Sequence, residues 1–175
     1  MKSAKYPVKS RVWRLIKECK DIMIKILFIC HGNICRSPMA EFIMKDIVKK
    51  EGMEKQFEIA SAATSQEEIG NPVYPPAKKE LNKHHLSCEK KTARQMTKKD
   101  YDYYDYLIAM DHYNLTNIKV FAGDDPLHKV SLLMSYTGHS KDVVDPWYTG
   151  NFEKAFDDIE KGCQDLFQQI KKAFD

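Results

Sequence analysis

A short apolar segment near the N-terminus constrains the fold of this chain more than any other feature. Residues 22–29 read Ile-Met-Ile-Lys-Ile-Leu-Phe-Ile, which is typical of a strand buried on both faces of a parallel sheet. A tight loop over residues 30–36 follows, and Ser37 and Pro38 then have the chemistry of a helix start. Apolar residues recur every four positions from Met39 to Lys50. Strand, loop and helix predict the opening of a βαβ unit.

Strands and helices continue to alternate along the chain. The patterns predict strands over residues 57–61, 106–110 and 130–134, a helix from Pro75 to His84, and an amphipathic closing helix over residues 151–174. Such alternation favours a three-layer αβα fold around a parallel sheet. Ligands of these sheets bind outside the carboxyl ends of the strands, so we expect the chemistry in the loop that begins at Cys30.

Length and composition exclude several classes of protein. With 175 residues, 43% of them hydrophobic and 30% charged, the chain fits one globular domain and is not intrinsically disordered. Its apolar run at residues 22–30 is far shorter than the ~20 residues of a membrane span. Charged residues interrupt any apolar region of a secretory signal, and the five cysteines are irregularly spaced. We therefore expect free thiols and a cytoplasmic protein.

Charge is distributed unevenly between the first residues and the rest of the chain. Residues 1–22 hold seven basic and two acidic residues, although the whole chain carries only +3. Because Met23 directly precedes the first strand, we expect residues 1–22 to be a dispensable basic extension and residues 23–175 to be the domain. The alternative is a basic helix that contacts the domain or an anionic surface. The mildly acidic remainder predicts no nucleic-acid partner, and we expect a monomer or weak dimer.

The loop after the first strand combines a thiol with groups that bind an anion. Backbone N–H groups of a tight loop converge on an anion, and the following helix adds the positive end of its dipole. This environment favours the nucleophilic thiolate form of Cys30, while the planar guanidinium of Arg36 can hold two phosphoryl oxygens. Gly32 is expected to adopt backbone angles that a side chain would forbid. The loop therefore predicts a phosphoryl site facing a nucleophile.

The predicted phosphate-binding loop continues to the start of the helix. Ser37 is expected to cap that helix, to donate a hydrogen bond to the Cys30 thiolate, or both, and Asn33 is expected to brace the loop. Backbone amides and Arg36 form the clamp, so no metal or cofactor is expected. The nucleotide-binding pattern Gly-x4-Gly-Lys-Ser/Thr is absent, which argues against nucleotide hydrolysis. The loop residues are His31, Gly32, Asn33, Ile34, Cys35, Arg36 and Ser37.

Asp145 is the candidate general acid. Cleavage of a phosphate monoester benefits from protonation of the leaving oxygen, which a positioned carboxyl group can supply. Asp145 and Pro146 lie before the closing helix, where a carboxyl group can reach over an anion site. An Asp-Pro pair alone is usually a turn, but its place after the cysteine loop favours the functional interpretation.

The segment FICHGNICRSPMAE, residues 28–41, resembles the signature of the low-molecular-weight protein tyrosine phosphatases. The resemblance extends through residues 61–65, 69–72, 93–95, 110–111 and 145–148. It implies a four-stranded parallel sheet flanked by helices, with Cys30 as nucleophile, Arg36 as phosphate clamp and Asp145 as proton donor. Phosphotyrosine proteins are the implied substrates.

The resemblance also implies roles around the site. Trp147 and Tyr148 would form an aromatic wall for the substrate ring, although they could also only pack at the helix entry. Asp111 would support the site from behind. Two departures stand out: Glu67 lies in a loop where many members have an aromatic residue, and Lys91 replaces a histidine. The first predicts an acidic wall of the substrate cleft, and the second puts the bracing of the loop in question.

Alternative functions on the same scaffold are less favoured. Arginine phosphatases typically have threonine in place of Ile34, and arsenate reductases use further cysteines after the third strand, whereas Cys88 precedes it. A non-catalytic phosphopeptide-binding module is disfavoured because all three catalytic side chains are retained. Cys35 lies on the same curled loop as Cys30, where the ~3.5–4.5 Å Cβ separation of a disulfide is within reach. We therefore expect Cys35 to be a redox partner of Cys30, the alternative being a small buried side chain.

Overall fold

Four parallel strands form the centre of the structure. The computed structural model describes residues 23–172, and the strands of that part are β1 (Ile24–Cys30), β2 (Phe57–Ala63), β3 (Tyr106–Ala109) and β4 (Val130–Leu132). They pair in the order β2-β1-β3-β4, and every pairing is parallel. The predicted four-stranded parallel sheet is confirmed.

Helices cover both faces of this sheet. The described helices are α1 (Arg36–Lys50), α2 (Pro75–Lys83), α3 (Lys98–Tyr103), α4 (His112–Ala122), α5 (Pro146–Thr149) and α6 (Phe152–Lys171), with 3-10 turns at Glu54–Gln56 and Leu133–Thr137. Apolar residues of α1, α2 and α6 form one core with the sheet, and residues of α3 and α4 form a second core on its other face. No helix within residues 23–172 combines the length and apolar character needed to cross a membrane.

Strand β1 shows why the sheet is covered on both sides. Ile26 and Phe28 belong to the core beneath α1 and α6, whereas Leu27 and Ile29 belong to the core beneath α4. All four side chains are fully buried, because successive residues of a strand point to opposite faces. The nearly continuous apolar run of the sequence therefore produces the three-layer αβα arrangement that was predicted from it.

Some element boundaries differ from the sequence predictions. Strand β2 extends two residues beyond Ser61, to Ala63, and β4 ends at Leu132 because a 3-10 turn begins at Leu133. The closing helix ends at Lys171, and the predicted terminal residue Phe174 lies outside the described residues, as does Ile22 at the start of the first strand.

Helix α4 was not predicted from the sequence. Only Asn114, Ile118 and Ala122 of this helix are buried, so its apolar stripe is narrow and its periodicity is weak. The helix starts because the Asp111 side chain accepts a hydrogen bond from the backbone N–H of Asn114, which is ordinary N-cap chemistry.

The strand order creates a crevice at the carboxyl edge of the sheet. The chain proceeds from β1 to β2 on one side and then crosses to β3 on the other side of β1. Parallel α/β sheets bind ligands where the strand order reverses in this way. Cys30 ends β1, and Asp111 follows the end of β3. The fold therefore brings these two residues to the same crevice.

Candidate active site

Cys30 lies at the end of a central strand and beneath a tight loop. Its side chain is buried, its Sγ lies 3.0 Å from the Ser37 Oγ, and the backbone N–H of Asn33 donates to the same sulfur at 3.3 Å. Helix α1 begins only six residues later, at Arg36, so its positive dipole end lies beside the loop. Hydrogen bonds that point at the sulfur stabilise its thiolate form.

Asn33 decides the direction of the hydrogen bond between Ser37 and Cys30. The Asn33 side-chain amide donates to the Ser37 Oγ at 2.8 Å and to the Ser61 Oγ at 2.9 Å. Because the Ser37 oxygen accepts from Asn33, its own hydroxyl proton is available for the Cys30 sulfur. Ser37 therefore donates to Cys30. The alternative that Ser37 caps α1 is wrong, since Cys35 occupies the N-cap position and makes no side-chain capping bond.

The same chain of hydrogen bonds continues away from the loop to a buried carboxylate. The Ser61 hydroxyl donates to Glu41, which is 5% exposed and is paired with Lys45 at 2.6 Å and with Lys91 at 3.5 Å. Lys91 also donates to the Ser61 backbone oxygen at 3.1 Å. Burial lowers the pKa of Lys91, and the Glu41 carboxylate opposes this shift.

Lys91, which stands where many family members have a histidine, therefore still braces the loop. Lys91 and Glu41 hold Ser61, Ser61 accepts from Asn33, and Asn33 positions the loop. The Asn33 side chain also accepts from the backbone N–H of Arg94 at 3.2 Å. The expected bracing role of Asn33 agrees with these contacts.

Gly32 and Asn33 have different backbone requirements from those expected. Asn33, not Gly32, adopts a positive φ of 59°, a left-handed conformation that asparagine tolerates better than most residues. A Cβ atom at Gly32 would instead lie 3.3 Å from the Glu68 Cγ. The expectation of special backbone angles at Gly32 is wrong, and a side chain at this position would instead contact Glu68 closely.

Arg36 is buried at the start of α1 and carries three hydrogen bonds from its terminal nitrogens. Nη1 donates to Asp111 at 2.6 Å and to the Val143 carbonyl oxygen at 2.9 Å, while Nη2 donates to Asp145 at 3.0 Å. Burial alone would lower the pKa of Arg36, but the nearby Cys30, Asp145 and Asp111 outweigh it, and the pKa is raised. The guanidinium group is thus a fixed, charged group within the loop.

Asp145 is positioned by both of its carboxylate oxygens. Oδ2 accepts from Arg36, and Oδ1 accepts from the backbone N–H of Trp147 at 3.0 Å, so Asp145 is also the N-cap of α5. Its side chain is 24% exposed. The carboxyl group therefore reaches the pocket from a loop that lies 109 residues from Arg36 in sequence.

The pocket above Cys30 has aromatic and acidic residues in its lining. Trp147 and Tyr148 contribute the aromatic surface, and Glu67 and Glu68 contribute the carboxylates. The loop of Glu67 is joined to the cysteine loop by backbone bonds from residues 64 and 65 to the carbonyl oxygens of residues 30 and 31. All three residues predicted to line the substrate cleft, Trp147, Tyr148 and Glu67, therefore surround the same pocket as Cys30, Arg36 and Asp145.

Sequence reasoning missed three contributors to the site. Glu68 lines the pocket beside Glu67, and its position in the same acidic pair was an available signal. The Tyr74 ring supports Trp147 with ring centroids 4.8 Å apart. The Val143 carbonyl group holds Arg36, and no sequence pattern could have indicated a backbone acceptor.

Cys35 lies beneath the loop and lines the pocket with Cys30. Burial raises the pKa of the Cys35 thiol, and the negative charge of Cys30 raises it further. The four described cysteines, Cys30, Cys35, Cys88 and Cys163, are all free thiols. Of the two neighbouring sulfurs, Cys30 is the one that the Ser37 hydroxyl and the Asn33 backbone N–H contact.

A thiol, a buried guanidinium group and a carboxyl group around one helix start form a site typical of the phosphate monoester hydrolases that use a cysteine loop. Comparison with known proteins agrees. The sequence profile of the low molecular weight phosphotyrosine protein phosphatase family matches residues 25–175. The chain belongs to this family, and it is accordingly a hydrolase of the protein tyrosine phosphatase class.

Individual relatives are similar over nearly their whole length. The low molecular weight protein-tyrosine-phosphatase YfkJ of Bacillus subtilis is 40% identical over 152 residues, covering 86% of this chain and 97% of YfkJ. Its crystal structure matches with a TM-score of 0.85 at 39% identity, covering 88% of this chain and 98% of that chain. The low molecular weight phosphotyrosine protein phosphatase of Gallus gallus is 38% identical over 140 residues, covering 79% and 87% of the two chains.

One solved structure represents the arginine phosphatases. The Drosophila arginine phosphatase matches with a TM-score of 0.78 at 31% identity, covering 85% of this chain and 98% of that chain. The shared fold therefore extends to an arginine phosphatase. Because the fold is the same, the substrate preference must depend on the residues of the pocket.

Proposed function

We propose that this chain hydrolyses phosphotyrosine in proteins through a phosphorylated Cys30, with Arg36 as the phosphate clamp and Asp145 as the general acid. One observation carries the proposal: Asp145, which lies 109 residues after Arg36, lines a single pocket at the start of α1 together with Cys30 and Arg36. The pocket combines a nucleophile, an anion site and a proton donor.

The first chemical step transfers the phosphoryl group to sulfur. The Cys30 thiolate attacks phosphorus, the bond between phosphorus and the tyrosine oxygen breaks, and Asp145 gives its proton to that leaving oxygen. Backbone N–H groups of the loop and Arg36 hold the phosphoryl oxygens while charge builds on them. Phenol and phosphorylated Cys30 are the products of this step.

The second step regenerates the thiolate. Asp145, now a carboxylate, takes a proton from water, and the resulting oxygen nucleophile attacks phosphorus. The bond between sulfur and phosphorus breaks, and inorganic phosphate leaves. The Ser37 hydroxyl, which points at the sulfur, stabilises the departing thiolate.

Binding of the substrate has a direct consequence for Asp145. Arg36 now bonds Asp145 through Nη2, and a phosphoryl group that takes this nitrogen as a partner would displace the carboxylate. A dianion beside Asp145 favours the protonated carboxyl group, because like charges disfavour ionisation. Substrate binding therefore prepares Asp145 to act as an acid.

The lining of the pocket supports an aromatic substrate. Trp147 and Tyr148 are 51% and 84% exposed, so both rings are accessible to a tyrosine ring. The arginine phosphatase alternative is less favoured because Ile34, an apolar residue, lines the pocket where those enzymes typically have threonine. Arsenate reduction and simple phosphopeptide binding are less favoured because a carboxyl group, that of Asp145, lies beside Arg36 where the proposed reaction needs a proton donor.

We further propose that oxidation of Cys30 regulates the protein and that the protein lies in a reducing compartment. Peroxide would oxidise the Cys30 thiolate to a sulfenic acid, which the Cys35 thiol would convert to a disulfide with release of water. The free state of the four described cysteines supports a cytoplasmic protein, since reducing compartments keep thiols free.

The proposed function is tested by turnover of p-nitrophenyl phosphate and of a phosphotyrosine peptide. We expect Cys30→Ser to abolish turnover while the fold is retained, and Arg36→Lys to fail because an ammonium group cannot grip two oxygens. A chelator should have no effect. Acid-quenched enzyme should contain phosphate on Cys30 by mass spectrometry. Binding of the peptide without turnover by the unmodified chain would instead support a phosphopeptide-binding module.

A further inference from the structure

The loop that carries Asp145 is fastened to helix α4 by a contact outside the pocket. The Asp142 Oδ1 accepts two hydrogen bonds from His112, one from its backbone N–H at 3.1 Å and one from its ring Nδ1 at 2.6 Å. A carboxylate only accepts, so the Nδ1 atom of His112 carries the proton. Asp142 precedes Asp145 by three residues, and His112 is the first residue of α4.

Helix α4 starts beside the residues that support the pocket through Arg36. His112 directly follows Asp111, which binds Arg36. Residue 143 makes the neighbouring attachments: its backbone N–H donates to the Met110 oxygen at 2.9 Å, and its carbonyl oxygen accepts from Arg36. Two consecutive residues of the acid loop, residues 138–145, are thus bound to the junction between β3 and α4.

The attachment through Val143 is buried, and the attachment through Asp142 is exposed. The Val143 side chain is fully buried, whereas residues 138–142 are exposed and have no regular structure after the turn at Gly138. In this stretch Asp142 reaches α4, and the neighbouring Lys141 reaches Asp158 of α6 at 3.4 Å. The contact with His112 therefore limits how far the exposed stretch can move away from α4, and Val143 connects this stretch to Asp145.

We propose that Asp142 is a positioning residue for the general acid: its double hydrogen bond to His112, together with the buried Val143, fixes the acid loop so that Asp145 reaches the leaving oxygen. The inference rests on the proposed role of Asp145. Asp142 does not touch the substrate and acts only through the placement of Asp145. A less firmly fixed loop would present the proton less often, while Asp111 would still hold the phosphate clamp of Arg36 in place.

Three variants test this inference, measured as kcat/KM for a series of aryl phosphates with good and poor leaving groups. Asp142→Ala should lower kcat/KM about 3- to 10-fold for poor leaving groups and less for good ones, since one pair of exposed hydrogen bonds is lost. Asp142→Asn should retain most of the activity, because the amide oxygen can still accept both bonds. His112→Ala should lie between, because its backbone N–H still donates.

A matched control lies on the same loop. Lys141→Met removes an exposed ion pair of the loop without touching α4, and we expect nearly unchanged kcat/KM across the series. The inhibition constant of inorganic phosphate should be the same in all variants, because it reports the clamp. Melting temperatures identify any variant that is generally destabilised.

Specific outcomes would overturn the inference. An Asp142→Ala loss that is equal for good and poor leaving groups, or matched by Lys141→Met, would show that Asp142 only stabilises the fold. Weaker inhibition of Asp142→Ala by inorganic phosphate would show that Asp142 acts through Arg36 instead of Asp145. If Asp142→Ala fails to fold, a full loss of activity in the folded Asp142→Asn variant would also refute it. Failure of the proposed function is distinguishable, because the unmodified chain would then hydrolyse none of the aryl phosphates.

Discussion

The Nη2 atom of Arg36 donates a hydrogen bond of 3.0 Å to the Oδ2 atom of Asp145. The proposed phosphate clamp and the proposed acid are therefore partners of each other before they are partners of a substrate. Asp111 binds the other terminal nitrogen of Arg36 at 2.6 Å. In the proposed mechanism, the guanidinium group therefore keeps one carboxylate partner when the substrate displaces Asp145.

Replacement of the acid should reduce turnover in a way that depends on the leaving group. Asp145→Ala is expected to lower turnover by about 10²–10⁴, with the smaller loss for phenols that leave well without a proton. The measurement is kcat/KM against the leaving-group pKa for substituted phenyl phosphates. A uniform loss across the series would show that Asp145 is not the acid.

The buried lysine behind the loop should influence the nucleophile from a distance. Lys91→Met removes a charged donor from Ser61 and a counter-ion from Glu41, so the chain of bonds to Ser37 weakens. We expect kcat/KM to fall about tenfold and alkylation of Cys30 by iodoacetamide at pH 6 to slow.

The control for this prediction is Lys45, which also pairs with Glu41 but is 45% exposed and has no bond to Ser61. Lys45→Met should have a smaller effect on both measurements. Lys91→His, which introduces the residue typical of the family, should retain more activity than Lys91→Met. Equal effects of Lys45→Met and Lys91→Met would argue against a role specific to Lys91.

Oxidation should be reversible only while Cys35 is present. Peroxide should inactivate the enzyme through a disulfide between Cys30 and Cys35, and dithiothreitol should restore activity. In Cys35→Ser the sulfenic acid has no neighbouring thiol and proceeds to higher oxides that dithiothreitol does not reduce. Mass spectrometry should find the linked cysteine peptides lighter by two hydrogens. Full recovery of oxidised Cys35→Ser would refute this role.

The acidic wall should select substrates by charge. Glu67 is 69% exposed in its side chain and is paired with His31 at 3.0 Å, so a phosphotyrosine peptide with flanking arginines should be preferred over one with flanking glutamates. We expect a preference of about 3- to 10-fold in kcat/KM that declines as salt screens the charges.

Glu67→Gln should reduce that preference. Glu54→Gln is the control, because Glu54 lies in the 3-10 turn before β2, at the opposite edge of the sheet from Cys30. An unchanged preference in Glu67→Gln would assign the selection to another residue, with Glu68 the next to test.

The basic residues that precede the first strand should be dispensable. We propose residues 23–175 as the domain, so deletion of residues 1–22 should leave kcat/KM and the melting temperature nearly unchanged. A large fall in either quantity would show that the basic segment packs on the domain.

The amino-acid sequence by itself determined the local features of the site. The apolar run before Cys30 and the helix start after it lie within one short segment, and their burial and backbone chemistry leave a readable pattern. The same holds for the closeness of Cys30 and Arg36, the proposed nucleophile and clamp, because only five residues of one loop separate them. The αβα fold also followed from local patterns, since the strands and the long helices around them carry their own periodicity.

Only the tertiary structure decided which distant residues join that loop. Arg36 meets Asp111 across 75 residues and Asp145 across 109, and such contacts depend on the strand order, not on any local period. The direction of the Ser37 hydrogen bond required Asn33 and Ser61 to be placed, and the role of Lys91 required the buried carboxylate of Glu41. Helix α4 escaped prediction because its burial is narrow, yet it holds the acid loop through His112. A hydrogen bond between distant residues leaves no periodic trace in the sequence, which is the physical reason that the structure was needed.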